Sequence, residues 1–307
     1  MDGESARHKQ RQPTLRPRKE LGQHFLVDRQ VLEAVVATAD LGHRDTVIEV
    51  GSGAGILTRR LADVAGKLVT VEVDPRFARA LHTAIGYRAH VKVVRGDILT
   101  LAPATLLQEV GRCEELCGSY KVVANLPYYI TSPVLRHFLW SDCKPSLMVV
   151  MVQKEVGEAI AAHRGKRSLL TLMVQLFSAA RVVRYVGANC FRPRPKVNSV
   201  ILRLDVHPEP AIRVDDVEGL FALIKDGFRS PRKQLRNSLA AGLGLPANET
   251  TALLVDAGID YRRRPETLSL EEWARLWKLW CSRGDVHRVT GEGPCQDQSG
   301  PRGTGQT

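Results

Sequence analysis

Three carboxylates and a cluster of glycines fall at the ends of short apolar runs, where a parallel sheet would gather them. Gly51, Gly53 and Gly55 in VIEVGSGAGILT come directly after TVIEV. Glycines let a backbone turn sharply and approach a ligand, and a helix starting there offers free N–H groups. Glu72 ends the second run about twenty residues on, where a carboxylate can accept from ribose hydroxyls. Asp97, in VVRGDIL after the third run, is an acceptor suited to an adenine amino group. A dinucleotide fingerprint requires Gly or Ala at the position that Ile56 holds. Glu49, just ahead of the loop, is poor company for phosphates. A cationic, phosphate-free sulfonium cofactor therefore fits better than NAD.

Asn125, Leu126, Pro127 and Tyr128 stand at the tip of the fourth run, in VVANLPYYITS. An exocyclic aromatic amine is a poor nucleophile, because its lone pair is delocalised into the ring. The Asn125 side-chain oxygen and the Leu126 carbonyl, aimed at its two hydrogens, would favour a pyramidal nitrogen with its lone pair toward a methyl donor. Pro127 stiffens the turn, and Tyr128 offers a face on which a splayed base can stack. Such chemistry is positioning and electrostatics, with no metal and no strong general base. Asn and Pro also end ordinary strands; the cofactor set behind them favours the functional reading.

These tips need a scaffold. TVIEV (46–50), LVTVEV (68–73), HVKVV (90–94), YKVVAN (120–125) and LMVVMV (147–152) read as strands. Helical patterns such as GILTRRLADVA and PRFARALHTAI lie between them. That alternation predicts a doubly wound α/β sheet. ARVVRYVG and VNSVILRLDV would extend it as an antiparallel pair. After about residue 208, DDVEGLFALIKDGF, RKQLRNSLAAGL, ETTALLVDAG and LSLEEWARLWKLWC read as four helices of a small basic domain. Gly, Pro, Gln and Thr dominate from Gly284, which predicts a disordered tail over 284–307.

The 307 residues suffice for one large domain, or a large and a small one, and no apolar run reaches membrane-spanning length. The basic N-terminus lacks the apolar stretch of a secretory signal. The net charge of +11, from 44 basic and 33 acidic residues, favours a polyanionic partner. Cys113, Cys117, Cys143, Cys190, Cys281 and Cys295 form no paired zinc-type array. Reduced thiols in a cytoplasmic protein are the expectation.

The chain resembles the ribosomal RNA adenine N6,N6-dimethyltransferases, in their small-subunit branch. LGQHFLVD, VIEVGSGAG, VEVDP, GDIL, NLPYYITSP, MVQKEV, FRPRPKVNSVILRL and RKQLRNSL carry the resemblance from about Leu21 to Cys281. It implies a Rossmann-like class I methyltransferase sheet (20–208), a helical RNA-binding domain (209–283) and a flexible basic arm (1–19). It also implies S-adenosylmethionine held by His24, Leu26, Gly51, Glu72, Asp97 and Asn125. Phe191 would sandwich the target adenine against Tyr128. The implied reaction dimethylates two adjacent adenosines in the 3′-terminal hairpin loop of small-subunit (16S) rRNA, by a monomer on the pre-30S particle. Arg192, Arg194 and Lys196, with Arg229, Arg232, Lys233 and Arg236, are the expected RNA contacts. Arg262 to Arg264 and the arm's Arg16, Arg18 and Lys19 would add to them. Ser52 stands where the family usually has Pro, which is expected to loosen the glycine loop. Two rivals remain: an erythromycin-resistance methyltransferase acting on large-subunit RNA, and a non-enzymatic assembly or transcription factor of the same fold. RKQLRN and the NLPY spelling favour the small-subunit branch; intact NLPY and acidic residues favour catalysis.

Overall fold

The computed structural model describes residues 15–111, 113–162 and 167–283. The first 14 residues of the expected arm and the expected tail, with Cys295, lie outside them. The strands are β1 (Phe25–Leu26), β2 (Thr46–Val50), β3 (Lys67–Glu72), β4 (Val91–Arg95), β5 (Lys121–Asn125), β6 (Leu147–Gln153), β7 (Ser178–Val186), β8 (Phe191–Arg192) and β9 (Ser199–Val206). The helices begin with α1 (Arg29–Ala39), α2 (Ile56–Val64), α3 (Pro75–Ile85), α4 (Pro103–Gln108), α5 (Cys113–Leu116), α6 (Thr131–Leu139), α7 (Lys154–Ala161) and α8 (Leu169–Phe177). They end with α9 (Val217–Gly227), α10 (Leu235–Leu243), α11 (Ala247–Asp256) and α12 (Leu270–Ser282).

Seven strands form one sheet in the order β4-β3-β2-β5-β6-β9-β7. β2 to β6 run parallel, while β9 lies antiparallel between β6 and β7. The antiparallel extension predicted for the two late runs is the one observed. Chain order runs outward one way from β2 to β4, then reverses to β5 and β6. A crevice opens at such a reversal, outside the carboxyl ends of the strands. Gly51, Glu72, Asp97 and Asn125 all lie at those ends. Val47, Ile48, Val69, Val122, Val123 and Val149 are fully buried, as befits strands covered on both faces. The helix starts obey local rules. Asp28 caps α1 by accepting from the Val31 N–H, and Asp74 caps α3 from the Arg76 N–H, with Pro75 in the first turn.

The described residues divide into two compact units at Ala161, Leu176 and Glu209. The first carries the sheet. The second holds α9 to α12 together with the segment up to Leu176, which sequence pattern had assigned to the sheet domain. Trp273 and Trp280 of α12 are its largest fully buried side chains. Ser269 and Glu272 form a reciprocal capping box at the start of α12.

The expectation of reduced thiols fails at one pair. Cys117 and Cys143 are joined by a disulfide, with Cα atoms 4.9 Å apart. The Gly118 N–H donates to the Lys144 carbonyl (2.9 Å) and the Ser146 N–H to that of Tyr120 (2.8 Å). Those bonds align the segments leading into β5 and β6 and bring the two cysteines together. Among the described residues no helix is long and apolar enough to cross a membrane.

Candidate active site

The chain leaves β2 through three glycines with positive φ: Gly51 (76°), Gly53 (48°) and Gly55 (73°). Any other residue would be strained there. The Glu72 carboxylate, only 3% exposed, organises the loop. Its Oε2 accepts from the Gly53 N–H (2.7 Å) and the Ser52 hydroxyl (3.3 Å), and Oε1 accepts from the Asp74 N–H (2.9 Å). Ser52 thus ties the loop to Glu72 rather than loosening it. Glu49 corrects another expectation. Its side chain is buried within β2 and accepts from the Thr70 hydroxyl (2.7 Å), so it does not line the crevice. Burial pushes its pKa up to about 7.

Asn125 ends β5 half-buried, and its Nδ2 donates to the His24 carbonyl (2.9 Å). That bond orients the amide and leaves Oδ1 as its acceptor. The next peptide is fixed by the Leu126 N–H, which donates to the Met151 carbonyl (3.3 Å). The Tyr128 hydroxyl bonds Ser199 Oγ at 2.7 Å, and burial raises the phenol pKa, keeping it neutral. Asp97 caps the turn after β4 by accepting from the Leu99 N–H (3.0 Å).

These groups line one cavity of about 360 Å³, with His24, Leu26, Gly51, Glu72, Asp97, Asn125, Leu126, Pro127 and Tyr128 all on its wall. Two carboxylates face it and, among the described residues, no Lys or Arg does. A pyrophosphate would find no counter-charge here. A sulfonium and an amino group would find favourable potential, and the ribose hydroxyls an acceptor in Glu72. The donor set fits S-adenosylmethionine.

The family described as "Ribosomal RNA adenine dimethylase" matches residues 14–280. The chain belongs to the ribosomal RNA adenine dimethylase family. A ribosomal RNA small subunit methyltransferase A of Dehalococcoides mccartyi is 45% identical over 265 residues, 86% of this chain and 88% of its own. Its namesake in Moorella thermoacetica is 39% identical over 269 residues, covering 87% and 93%. The crystal structure of the 23S rRNA methyltransferase ErmE is similar in fold and sequence, with TM-score 0.62 and 28% identity over 83% of this chain and 98% of that one. A dimethyladenosine transferase from Plasmodium falciparum shares the fold, at TM-score 0.70 and 24% identity over 85% and 98%. As a dimethylase of this family, the chain is an S-adenosylmethionine-dependent methyltransferase with the class I fold.

Other residues expected for this dimethylase are placed differently. Phe191 is absent from the cavity wall; it is 1% exposed, paired with Leu26 across β1 and β8, and packed in the core. His24 instead stacks on Tyr128, with ring centroids 5.9 Å apart. Arg192 at the end of β8, and Arg194 and Lys196 on the loop after it, are exposed. In the second unit Arg229, Arg232 and Lys233 are exposed. Arg236 is not: its guanidinium lies over the Tyr261 ring at 5.2 Å, and its Nε is buried without a partner. The arm is docked where it is described. The Arg16 carbonyl accepts from Arg76 (3.4 Å), and the Arg18 guanidinium lies 4.0 Å from Asp74. Gln23, Phe25 and Tyr129 also line the cavity. Tyr129 follows Tyr128 in the turn after β5. Nothing in the local pattern marks Gln23 and Phe25, because they reach the site through a two-residue strand whose partners lie 165 and 167 positions away.

Proposed function

We propose that this dimethylase transfers methyl groups to N6 of two adjacent adenosines in the 3′-terminal hairpin loop of 16S rRNA, with Asn125 and the Leu126 carbonyl holding the amine. Bound S-adenosylmethionine supplies an electrophilic methyl group. In the first transfer Asn125 Oδ1 accepts one N6 hydrogen and the Leu126 carbonyl the other, which draws the nitrogen lone pair out of conjugation and toward the donor. The methylated nitrogen then loses one proton to solvent, and in the second transfer its remaining hydrogen is held by one of the same two acceptors. Tyr128 supplies a stacking face, and Glu72 and Asp97 hold the ribose and adenine of the cofactor. The observation that carries this reading is the Asn125 amide, tethered through Nδ2 to the His24 carbonyl so that its oxygen is the acceptor left for substrate. The small-subunit target is supported by the Dehalococcoides and Moorella relatives, which bear that name over most of both chains. The protein works as a cytoplasmic monomer on the pre-30S particle, with Arg192, Arg194, Lys196, Arg229, Arg232 and Lys233 meeting phosphates.

The test supplies S-adenosylmethionine to purified small subunits lacking N6,N6-dimethyladenosine and, separately, to large subunits. Small subunits become dimethylated at two neighbouring positions. Asn125→Ala loses about 100-fold or more in rate, the scale for one transition-state hydrogen-bonding group, while still binding RNA. Methylation confined to large-subunit RNA overturns the target, and a wild-type rate for Asn125→Ala overturns the pocket.

A further inference from the structure

We propose that the open edge of the sheet, at Arg181 and Arg184 of β7 beside Arg29 of α1, is a second phosphate-binding surface that holds substrate RNA flanking the target adenosine. The inference rests on the adenine dimethylase reading only for where that adenosine sits. β7 ends the seven-strand order, so one side of its backbone is unpaired. The register ties this edge to the site. Asn125 pairs with Met151, Met151 with Ile201 and Ile201 with Arg184. Residues in one such row share a face of the sheet, so Arg184 stands in the row of Asn125, three strand spacings or about 14 Å away. Met151 and Ile201 are buried between them in the core that α1 covers. Arg184 emerges beside α1, where its Nη1 donates to the Gln30 carbonyl (3.4 Å). Arg181 pairs two positions farther along β9, which puts it about 7 Å beyond.

Charge decides the partner. Arg29, Arg181 and Arg184 are exposed, and among the described residues no ion pair is recorded for them. The carboxylates around them are engaged elsewhere. Asp28, whose field reaches Arg184, accepts from the Val31 N–H and the Cys190 thiol. Glu33 accepts from Arg60, and Glu158 from the Tyr185 hydroxyl. Arg181 also stands directly opposite Arg203, which is itself paired with Asp205. Like charges so placed repel, and a phosphate at Arg181 relieves that repulsion. The surface continues toward the site. The Val27 N–H donates to the Cys190 carbonyl (2.9 Å), which sets Arg29 and Arg192 each two residues from one hydrogen bond. A stacked strand advances about 3.4 Å per nucleotide, so RNA whose adenosine lies at Asn125 reaches Arg184 within about four nucleotides.

The test measures binding to small subunits lacking the modification across a salt series, with S-adenosylhomocysteine affinity as the folding control. Each phosphate contact to single-stranded RNA adds about 0.7 to the slope of log affinity against log salt. Arg181→Gln combined with Arg184→Gln flattens the slope by about 1.4, which weakens binding about 25-fold at about 0.1 M salt and hardly at all near 1 M. Arg29→Gln flattens it by about 0.7 more. Arg181→Lys with Arg184→Lys restores the slope, because a point charge suffices for phosphate. Should the glutamine pair lose S-adenosylhomocysteine, the single variants take its place, each expected to flatten the slope by about 0.7. Wild-type affinity and slope in the folded glutamine pair overturn the proposal. The arginines would then only guard an open strand edge, and self-association of that variant would be their signature. A slope that the lysine pair fails to restore overturns it as well. Wild type that methylates only large-subunit RNA would overturn the assigned target instead, and the same series on large subunits would still decide the edge.

Discussion

Glu49 and Glu72 stand on neighbouring strands of one sheet, yet their surroundings give them different roles. Glu72 receives two N–H donors and a hydroxyl, and a carboxylate so supplied stays useful to a ligand. Glu49 is 1% exposed and receives the Thr70 hydroxyl, and burial raises its pKa from 4.5 to about 7. A carboxyl whose pKa is raised on folding favours the folded state at low pH. That contribution is complete below about 4.5 and is lost as pH rises through about 7. Glu49→Gln keeps an acceptor for Thr70 but cannot ionise. Relative to wild type it should therefore gain up to about 3 kcal/mol in unfolding free energy between about pH 5 and pH 8. Denaturant titrations at the two pH values measure this. A difference that stays constant would mean that Glu49 does not titrate in this range.

At the scale of elements, the glycine loop and the segment ahead of α1 are built against each other. A Cβ at Gly53 would sit 2.6 Å from the Phe25 ring, and the Gly53 N–H is one of the donors to Glu72. Gly53→Ala combines about 1–2 kcal/mol of left-handed strain with displacement of that ring. S-adenosylhomocysteine binding should weaken at least about ten-fold, equivalent to 1.4 kcal/mol, with the fold retained. Calorimetry showing wild-type affinity would mean that the loop and the segment are not coupled. This coupling also explains what sequence could reveal. β2 to β6 were legible because each is a short run rich in β-branched and apolar residues that ends near a turn signal, and the residues that chemistry favours stand at those ends. β1 and β8 were not, because two residues make no period, and Phe25 meets Arg192 only through the fold. The burial of Phe191, expected from the resemblance to stack on the base, was not legible either, and His24 carried no sign that its ring would lie on Tyr128. The Cys117–Cys143 bond escaped too, since 26 residues separate partners that the starts of β5 and β6 align.

For the whole molecule, the charge of +11 matters through which cations remain free. In the second unit the Leu235 N–H donates to the Arg263 carbonyl (2.7 Å) and the Arg236 N–H to that of Tyr261 (3.3 Å). These bonds brace the turn before α10 against the loop before residue 265. Arg263 is spent internally on Glu272, and Arg236 on Tyr261. Arg232 and Lys233 stay exposed, with no ion pair recorded among the described residues. Sequence spacing alone could not separate Arg236 from them, since all three fall within five residues of one basic run. Reversing Arg232 and Lys233 to glutamate should therefore weaken binding to the small subunit without unfolding the unit, whereas Arg236→Glu should destabilise it. Each phosphate contact to single-stranded RNA contributes about 0.7 to the slope of log affinity against log salt. The double reversal should flatten that slope by about 1.4 or more. The cofactor cavity is lined wholly by residues 21–130, all in the first unit, so S-adenosylhomocysteine affinity should not change. An unaltered salt slope in a folded double variant would remove this turn from the RNA-binding surface.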